Sequence, residues 1–495
     1  MNKTAIIKTA LPLFIVLIVS VFSCIQTDQS CAQKELPMVV VSCSYNNAPW
    51  AEKSLDSIFM QKYDNYRVIY VDDASQDGTA EIVQAYIEKH NLQDKVTLIK
   101  NDQRRRKMHN IYNVYHTCED HEIIVQLDGD DWFAHDEVLA YLNQAYLNND
   151  IWLTYGTHEN VPKSNIGAKS SAIPLNLVKN RTFREKFRYM PTRSFYAWLF
   201  KSIKLEDTLC TNVQGFEGKF FPVLNDGVMM WAMLEMAHYR FKYLKKTSYI
   251  ANRKNPIIGR KVDRTLYKQV RVELNKIQEP LYPVVSTPSM DRLVPCEQAK
   301  ADCVMLFENS YYDLYHSIRA LQENVKNLGN IIVLYQTKKS RADIVCQELK
   351  EKYPDITFVK INDEGGCTAA VSALKSLSND YILLANDRCK LTEPLDCTYC
   401  IYELERTFAY GFYTSVSPSL CRRNRVPCQY IVDDLYAWKF ACDKENKLSI
   451  HNFDMTLYRT QDLITSLEKG RCTTLSKVRQ TWQSVLVGMH QVGLF

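Results

Sequence analysis

Two acidic clusters hold the residues in this chain most suited to chemistry. "VIYVDDASQDGT" (Val68–Thr79) and "IIVQLDGDDWF" (Ile123–Phe133) each close an apolar run that reads as a buried strand. The second gathers Asp128, Asp130 and Asp131 around Gly129, so several carboxylate oxygens can converge on one hard cation. Magnesium and manganese favour such oxygen ligands and are commonly shared with phosphates. Carboxylates crowded at a strand end repel one another unless a cation sits among them. The ligand that suits this chemistry is a nucleoside diphosphate with Mn2+ or Mg2+. Both clusters also have local readings: the first can cap the helix after it, and the second can be a solvated turn.

The elements that must position these residues alternate. Strands are expected at Met38–Cys43, Arg67–Val71, Val96–Ile99 and Ile123–Leu127, with a fifth from Ile151. Apolar stripes such as Ile82, Val83, Tyr86 and Ile87, or Ile111, Val114, Tyr115 and Cys118, mark helices between them. This alternation calls for an α/β fold, a mostly parallel sheet sandwiched by helices. Right-handed crossovers place the strand ends on one rim. Ser44, Asp72, Asp73 and Asp128 should therefore meet at the edge where open sheets take ligands. From Ser164 to Phe221 no regular pattern emerges, and a helix then opens at Asn225-Asp226.

At 495 residues the chain exceeds what one hydrophobic core usually supports. A proline- and serine-rich linker over 279–298 is expected to separate a domain at 35–278 from one at 299–495. In the latter, "ADCVMLFE", "NIIVLYQ", "ITFVKI" and "DYILLAND" repeat the alternation, with helices over Asp313–Leu328, through Lys352 and over Cys367–Leu377. Where the first domain has "LDGDD", the second ends in "LANDRCK". Asn386 and Arg388 replace carboxylates there, and a fixed cation opposes a metal ion. A second α/β domain without a metal site is expected, with the order of its elements suggesting a duplication. The net charge of +5 is mild and gives no reason to expect a nucleic-acid partner.

Lys3 and Lys8 precede the uncharged stretch Thr9–Ile25. Residues 1–34 therefore read as a signal peptide or an N-terminal membrane anchor, with the membrane as partner or the chain exported. The compartment would be a Golgi-type lumen in a eukaryote and the envelope in a bacterium. Eleven of the sixteen cysteines lie from Cys296 onward, and disulfides would suit an exported chain. Cys397 and Cys400 form a lone C-x-x-C, which suggests scattered thiols or a local disulfide rather than zinc.

"VVVSCSYNN", "VDDASQDGT", "LDGDD" and the "ND" of Asn225-Asp226 occur in this order, each at an expected strand end or helix start. In these motifs Met38–Arg253 resembles a family-2-type glycosyltransferase with the GT-A, or nucleotide-diphosphosugar transferase, fold. The second domain resembles the same fold more faintly, including "LYRTQDL" near its end. The resemblance implies inverting, divalent-metal-dependent transfer of a sugar from a UDP-sugar to a hydroxyl on a glycan, lipid or protein acceptor. It implies that Asp73 accepts the uracil N–H, with Ser44, Tyr45 and Asp72 completing the nucleoside pocket. Asp128 would reach the ribose or the metal, Asp130 would be the direct metal ligand, Asp131 its support, and Asp226 the general base.

The sequence departs from the family in two places. "DQRRRKMHN" stands where a glycine-rich approach to Ala-Arg-Asn is usual, with Arg105 or Arg106 and Asn110 as approximate equivalents. Asn225 replaces a customary glutamate. Arg104–Lys107 can clamp a diphosphate or form a solvated loop. Trp198, Trp231 and Tyr196 can stack on an acceptor sugar, although aromatic residues more often fill cores. His109, His116, His121 and His135 show no metal spacing. The competing class is a non-catalytic carbohydrate-binding scaffold, against which "LDGDD" and Asp226 argue.

Overall fold

The structure is a computed structural model that describes residues 34–147, 150–163, 170–185, 190–256, 263–276, 280, 282–287, 299–307, 311–335, 340–361, 366–389, 391, 393–442, 455–469 and 492–494. At the centre of its first sheet is β1 (Met38–Ser44), flanked in parallel by β2 (Tyr66–Asp72) and β4 (Ile123–Asp128). Strand β3 (Val96–Lys100) pairs in parallel with β2. The mostly apolar runs of β1 and β4 follow from burial on both faces. Val39 and Val41 pack in one core with Met108 and Ile111 of the helix Lys107–His116. Met38 and Val40 pack in another with Leu55 and Ile58 of the helix Ala48–Phe59.

The full order is β3-β2-β1-β4-β7-β6-β8-β5, with β5 Trp132–Phe133, β6 Leu153–Val161, β7 Arg193–Tyr196 and β8 Phe241–Asn252. The expected fifth strand is β6, but β7 lies between it and β4, antiparallel to both. Strand β7 falls in the stretch where the sequence shows no pattern. It has only four residues, and Arg193 and Ser194 are polar yet buried, so neither period nor polarity marks it. The parallel half carries the expected rim, and a half of mixed antiparallel and parallel pairs continues the sheet beside it.

A second sheet repeats this order. Ile356–Lys360, Leu328–Tyr335, Ala301–Phe307 and Tyr381–Asn386 lie side by side in parallel, and Thr456–Arg459 follows antiparallel. The helix expected to reach Leu328 ends at Asn324, because Val325 already pairs with Leu395 and Asn327 turns the chain at a φ of 57°. One buried cluster runs from Val39 through Met229 to Ile431 and Leu494, so the two sheets share a core. Tyr282, within the expected linker, is buried and donates its hydroxyl to Asp207 of the first domain. Cys397 and Cys400 are free thiols, both buried in a helix.

One expectation is corrected. A membrane partner through the N-terminal apolar segment has no support, since among the described residues no helix is long and apolar enough to cross a membrane. Thr9–Ile25 itself lies outside the described residues.

Candidate functional site

Strand register brings the two acidic clusters together. Ser44 pairs with Asp72 across β1 and β2, and Cys43 pairs with Asp128 across β1 and β4. Gly129 sits directly against Ser44: a Cβ added there would lie 2.6 Å from the Ser44 Cβ and 3.0 Å from its Cα. The glycine inside "LDGDD" is thus imposed by the first strand's end. Gly129→Ala should cost about 1–3 kcal/mol through overpacking, read as a fall in thermal midpoint; an unchanged midpoint would mean the two loops are not in contact.

The loop after β1 is stapled to the loop after β2. Asn46 N donates to Ser75 Oγ, Asn47 N to Thr79 Oγ1, and Ala48 N to Asp77 Oδ2. Asp77 also accepts from Thr79 N and Oγ1. The capping role therefore belongs to Asp77, which leaves Asp72 and Asp73 for other work. Asp73 is buried and accepts three hydrogen bonds, from Asn101 Nδ2, Arg105 N and Arg106 N, each at 2.8 Å. It fixes the 102–106 loop. Asp72 is buried too; its Oδ2 accepts from Ser75 N, while its Oδ1 has no hydrogen-bond partner.

The three arginines of that loop fan out over three rings. Arg104 lies 3.8 Å from the ring centre of Tyr45, Arg105 4.1 Å from Tyr430 and Arg106 5.0 Å from Phe216. Such contacts desolvate guanidinium groups favourably. They hold Arg106 at a φ of 73°, a region side chains seldom adopt. Tyr430 comes from the second sheet, where it also stacks on His109 at 5.8 Å. Asn113 Nδ2 donates to Ile431 O, and Phe220 N to Gln429 Oε1. Residues beside and within the second sheet thus brace the arginine loop, a role no sequence motif announces. Asn110 accepts from Asn101 Nδ2 within the same network.

Burial pulls the His109 imidazole down to about 4, only partly offset by Asn110, and pulls His116 well below its ordinary range. An unfolded histidine titrates near ~6.5. The unfolded chain therefore binds more protons between that value and about 4, so stability falls as pH falls through this window. Urea midpoints followed from neutral pH down to about 4 should show the decline, and His109→Gln should make it shallower while His116 keeps its share. An identical decline in the variant would place the acid sensitivity elsewhere.

The acidic turn is held from several sides. Asp130 Oδ2 accepts from Asn255 Nδ2 at 2.8 Å, and Asn255 also donates to Asn47 Oδ1. Asp131 accepts from Tyr249 Oη and Asn252 N, both at 2.6 Å. Burial, with Asp130 and Asp128 nearby, raises its carboxyl well above the usual range. Asp131 therefore braces the turn against β8. Asp128 receives the ammonium of Lys107 at 2.5 Å.

Asp226, in the first turn of the helix Asn225–Ala237, faces this turn. Its Oδ2 lies 3.0 Å from Arg193 and its Oδ1 3.7 Å from Lys107, with Gln126 Nε2 at 3.3 Å. Burial would raise its carboxyl, but Arg193 and Lys107 outweigh that and hold it at about 2. Arg193 stands opposite Gln126 in the β4–β7 register, which is how an unrecognised strand supplies the partner. Trp198 and Trp231 are buried core; Trp198 packs edge-on against Trp152. Tyr196 packs against Tyr146. Asn225 is buried beside Asp226. Among the described residues no three His, Cys, Asp or Glu side chains form a ready-made metal cage.

Residues 39–208 match the sequence model of the family Glycosyl transferase family 2. This segment is a family-2 glycosyltransferase domain. A putative glycosyltransferase, EpsE of Bacillus subtilis (strain 168), is 33% identical over 93 residues, or 19% of this chain and 32% of that protein. The chain thus spans about a third of that curated relative. Among solved structures, S. aureus TarS gives a TM-score of 0.33 at 19% identity over 44% of this chain and 37% of its own. The mannosyltransferase PcManGT from Pyrobaculum calidifontis, in complex with GDP-Man and Mn2+, gives 0.35 at 19% identity over 50% of this chain and 66% of its own. Glucosyl-3-phosphoglycerate synthase from Mycobacterium tuberculosis gives 0.35 at 15% identity over 50% and 81%. The family-2 domain contains both acidic clusters and the arginine loop; Asp226 lies just beyond the matched residues.

Proposed function

We propose that the first domain transfers a sugar from a UDP-sugar to a hydroxyl acceptor with inversion, in the presence of Mn2+ or Mg2+. The observation that carries this reading is the convergence on one rim of the "LDGDD" turn, the nucleoside-type turn and Asp226, linked by Lys107. A scaffold would not need an ionised aspartate facing a carboxylate cluster.

The residues fit a divalent ion. Burial and the neighbouring Asp128 raise the Asp130 carboxyl, and a positive ion between the two would relieve that strain. Two carboxylates suffice where phosphate oxygens and water complete the shell. Asp128 and Asp130 would hold the ion, which would neutralise charge on the leaving diphosphate. Asp72, with its unsatisfied Oδ1, offers a nucleobase N–H a better acceptor than Asp73, whose oxygens already serve the arginine loop. Ser44 and Tyr45 border this acceptor, and Arg104 caps the Tyr45 ring. Asp226 takes the acceptor's proton as its oxygen attacks from the side opposite the diphosphate, which inverts the anomeric centre. The second domain supports the site through Tyr430 and turns over no donor of its own.

A screen of UDP-sugars for manganese-dependent UDP release by the full chain tests the reading. Release with one donor and its loss on chelation are expected. No release with any nucleotide sugar, alongside intact carbohydrate binding, would favour the scaffold.

A further inference from the structure

Lys107 reaches both the acidic turn and the aspartate assigned as base, with its ammonium 2.5 Å from Asp128 Oδ1 and 3.7 Å from Asp226 Oδ1. Its place is costly in one respect. It opens the helix Lys107–His116, and the positive end of a helix dipole disfavours a cation in the first turn. The two carboxylates must therefore hold it there. Its backbone is fixed, since the preceding loop is pinned by Asp73 and by the three arginine–ring contacts. Its side chain is a quarter exposed and carries four rotatable carbons. Asp226 has a second, closer partner, because Arg193 holds the other carboxylate oxygen at 3.0 Å from a buried position on β7. Arg193 is thus the fixed partner and Lys107 the movable one.

We propose that Lys107 is the resident cation of the acidic turn and exchanges Asp128 for the donor's diphosphate when a divalent ion binds. The inference rests on the transferase reading above and adds an order to it. A free divalent ion approaching Asp128 meets an ammonium already within contact distance, and like charges within about 4–6 Å oppose each other strongly. The metal therefore loads poorly on the empty protein. A diphosphate changes the balance, because it offers the ammonium new oxygens at the moment it brings the ion. The same movement leaves Asp226 with Arg193 alone, so donor binding prepares the base.

Titration of the metal-stripped full chain with MnCl2, followed calorimetrically and by the manganese spin-resonance signal, tests the exchange without any turnover. Lys107→Met should bind Mn2+ without nucleotide at least about tenfold more tightly than the wild type. With saturating Mn2+, the same variant should bind UDP more weakly than the wild type. Opposite signs in the two titrations are the mark of exchange, since a merely structural lysine would move both the same way. Lys107→Gln, which keeps a hydrogen bond to Asp128 without the charge, should repeat the pattern, and Lys107→Arg should stay near the wild type. The Gln and Arg pair decides the matter if the Met variant fails to fold. Equal Mn2+ affinity in the wild type and the charge-removing variants, lost in Asp130→Ala, would overturn the exchange while leaving the metal site standing. No Mn2+ binding in any of them, with or without UDP, would remove the metal reading and the exchange together.

Discussion

Asp226→Asn is expected to lower kcat by about 10²–10⁴-fold, the usual worth of a general base, while leaving UDP-sugar affinity unchanged. The amide keeps an oxygen for Arg193 and remains in the first helical turn, so the variant separates proton transfer from packing. The wild-type carboxylate, held at about 2 by Arg193 and Lys107 against the effect of burial, is ionised at neutral pH. No acid limb of kcat/KM from this group should therefore appear near neutral pH. Because its folded value lies below the ordinary ~3.9 of an unfolded aspartate, it contributes stability above that value and loses it as pH falls toward 2. Steady-state kinetics on the two proteins, with donor affinity measured separately, decides the role. Near-normal turnover in the variant would assign the proton to another group.

How far the sequence discloses this site depends on what each residue answers to. Strands β1, β2 and β4 were legible because they are buried on both faces, and a run such as "MVVV" has few other uses. The rim followed from crossover handedness, and with it the meeting of Ser44, Asp72 and Asp128. Arg193 was hidden because β7 is four residues long and its site-facing residue is polar. Tyr430 was hidden for a different reason: it sits hundreds of residues from the loop it braces, and a ring stacked on a guanidinium leaves no local pattern. Asp73 shows a third limit. Its acidity was evident, but the three donors that occupy it become visible only when the 102–106 loop folds back. The lone glycine of "LDGDD" read as a turn residue, whereas the contact with Ser44 makes it a spacing requirement.

Asp130→Ala should abolish metal-dependent UDP binding while leaving the fold intact. Asp130 is half-buried in the acidic turn with one oxygen committed to Asn255, and its other oxygen is the group through which a shared ion would be held. Asp131 cannot substitute, because Tyr249 and Asn252 occupy both of its oxygens. Asp128 alone would offer a single carboxylate, one short of the pair that would hold the ion beside the phosphate oxygens. Removing Asp130 also relieves its buried crowding with Asp128, so thermal stability without metal should hold or rise, the reverse of what a structural aspartate would give. Calorimetry on the full chain should find one Mn2+ site per wild-type molecule in the presence of UDP and none in the variant. The same titration tests the second sheet, where Asn386 and Arg388 stand at the equivalent strand end and Arg388 lies 3.8 Å from Asp313. A remaining Mn2+ and UDP site in Asp130→Ala would have to lie there, and would mean that the second sheet kept a working site after all.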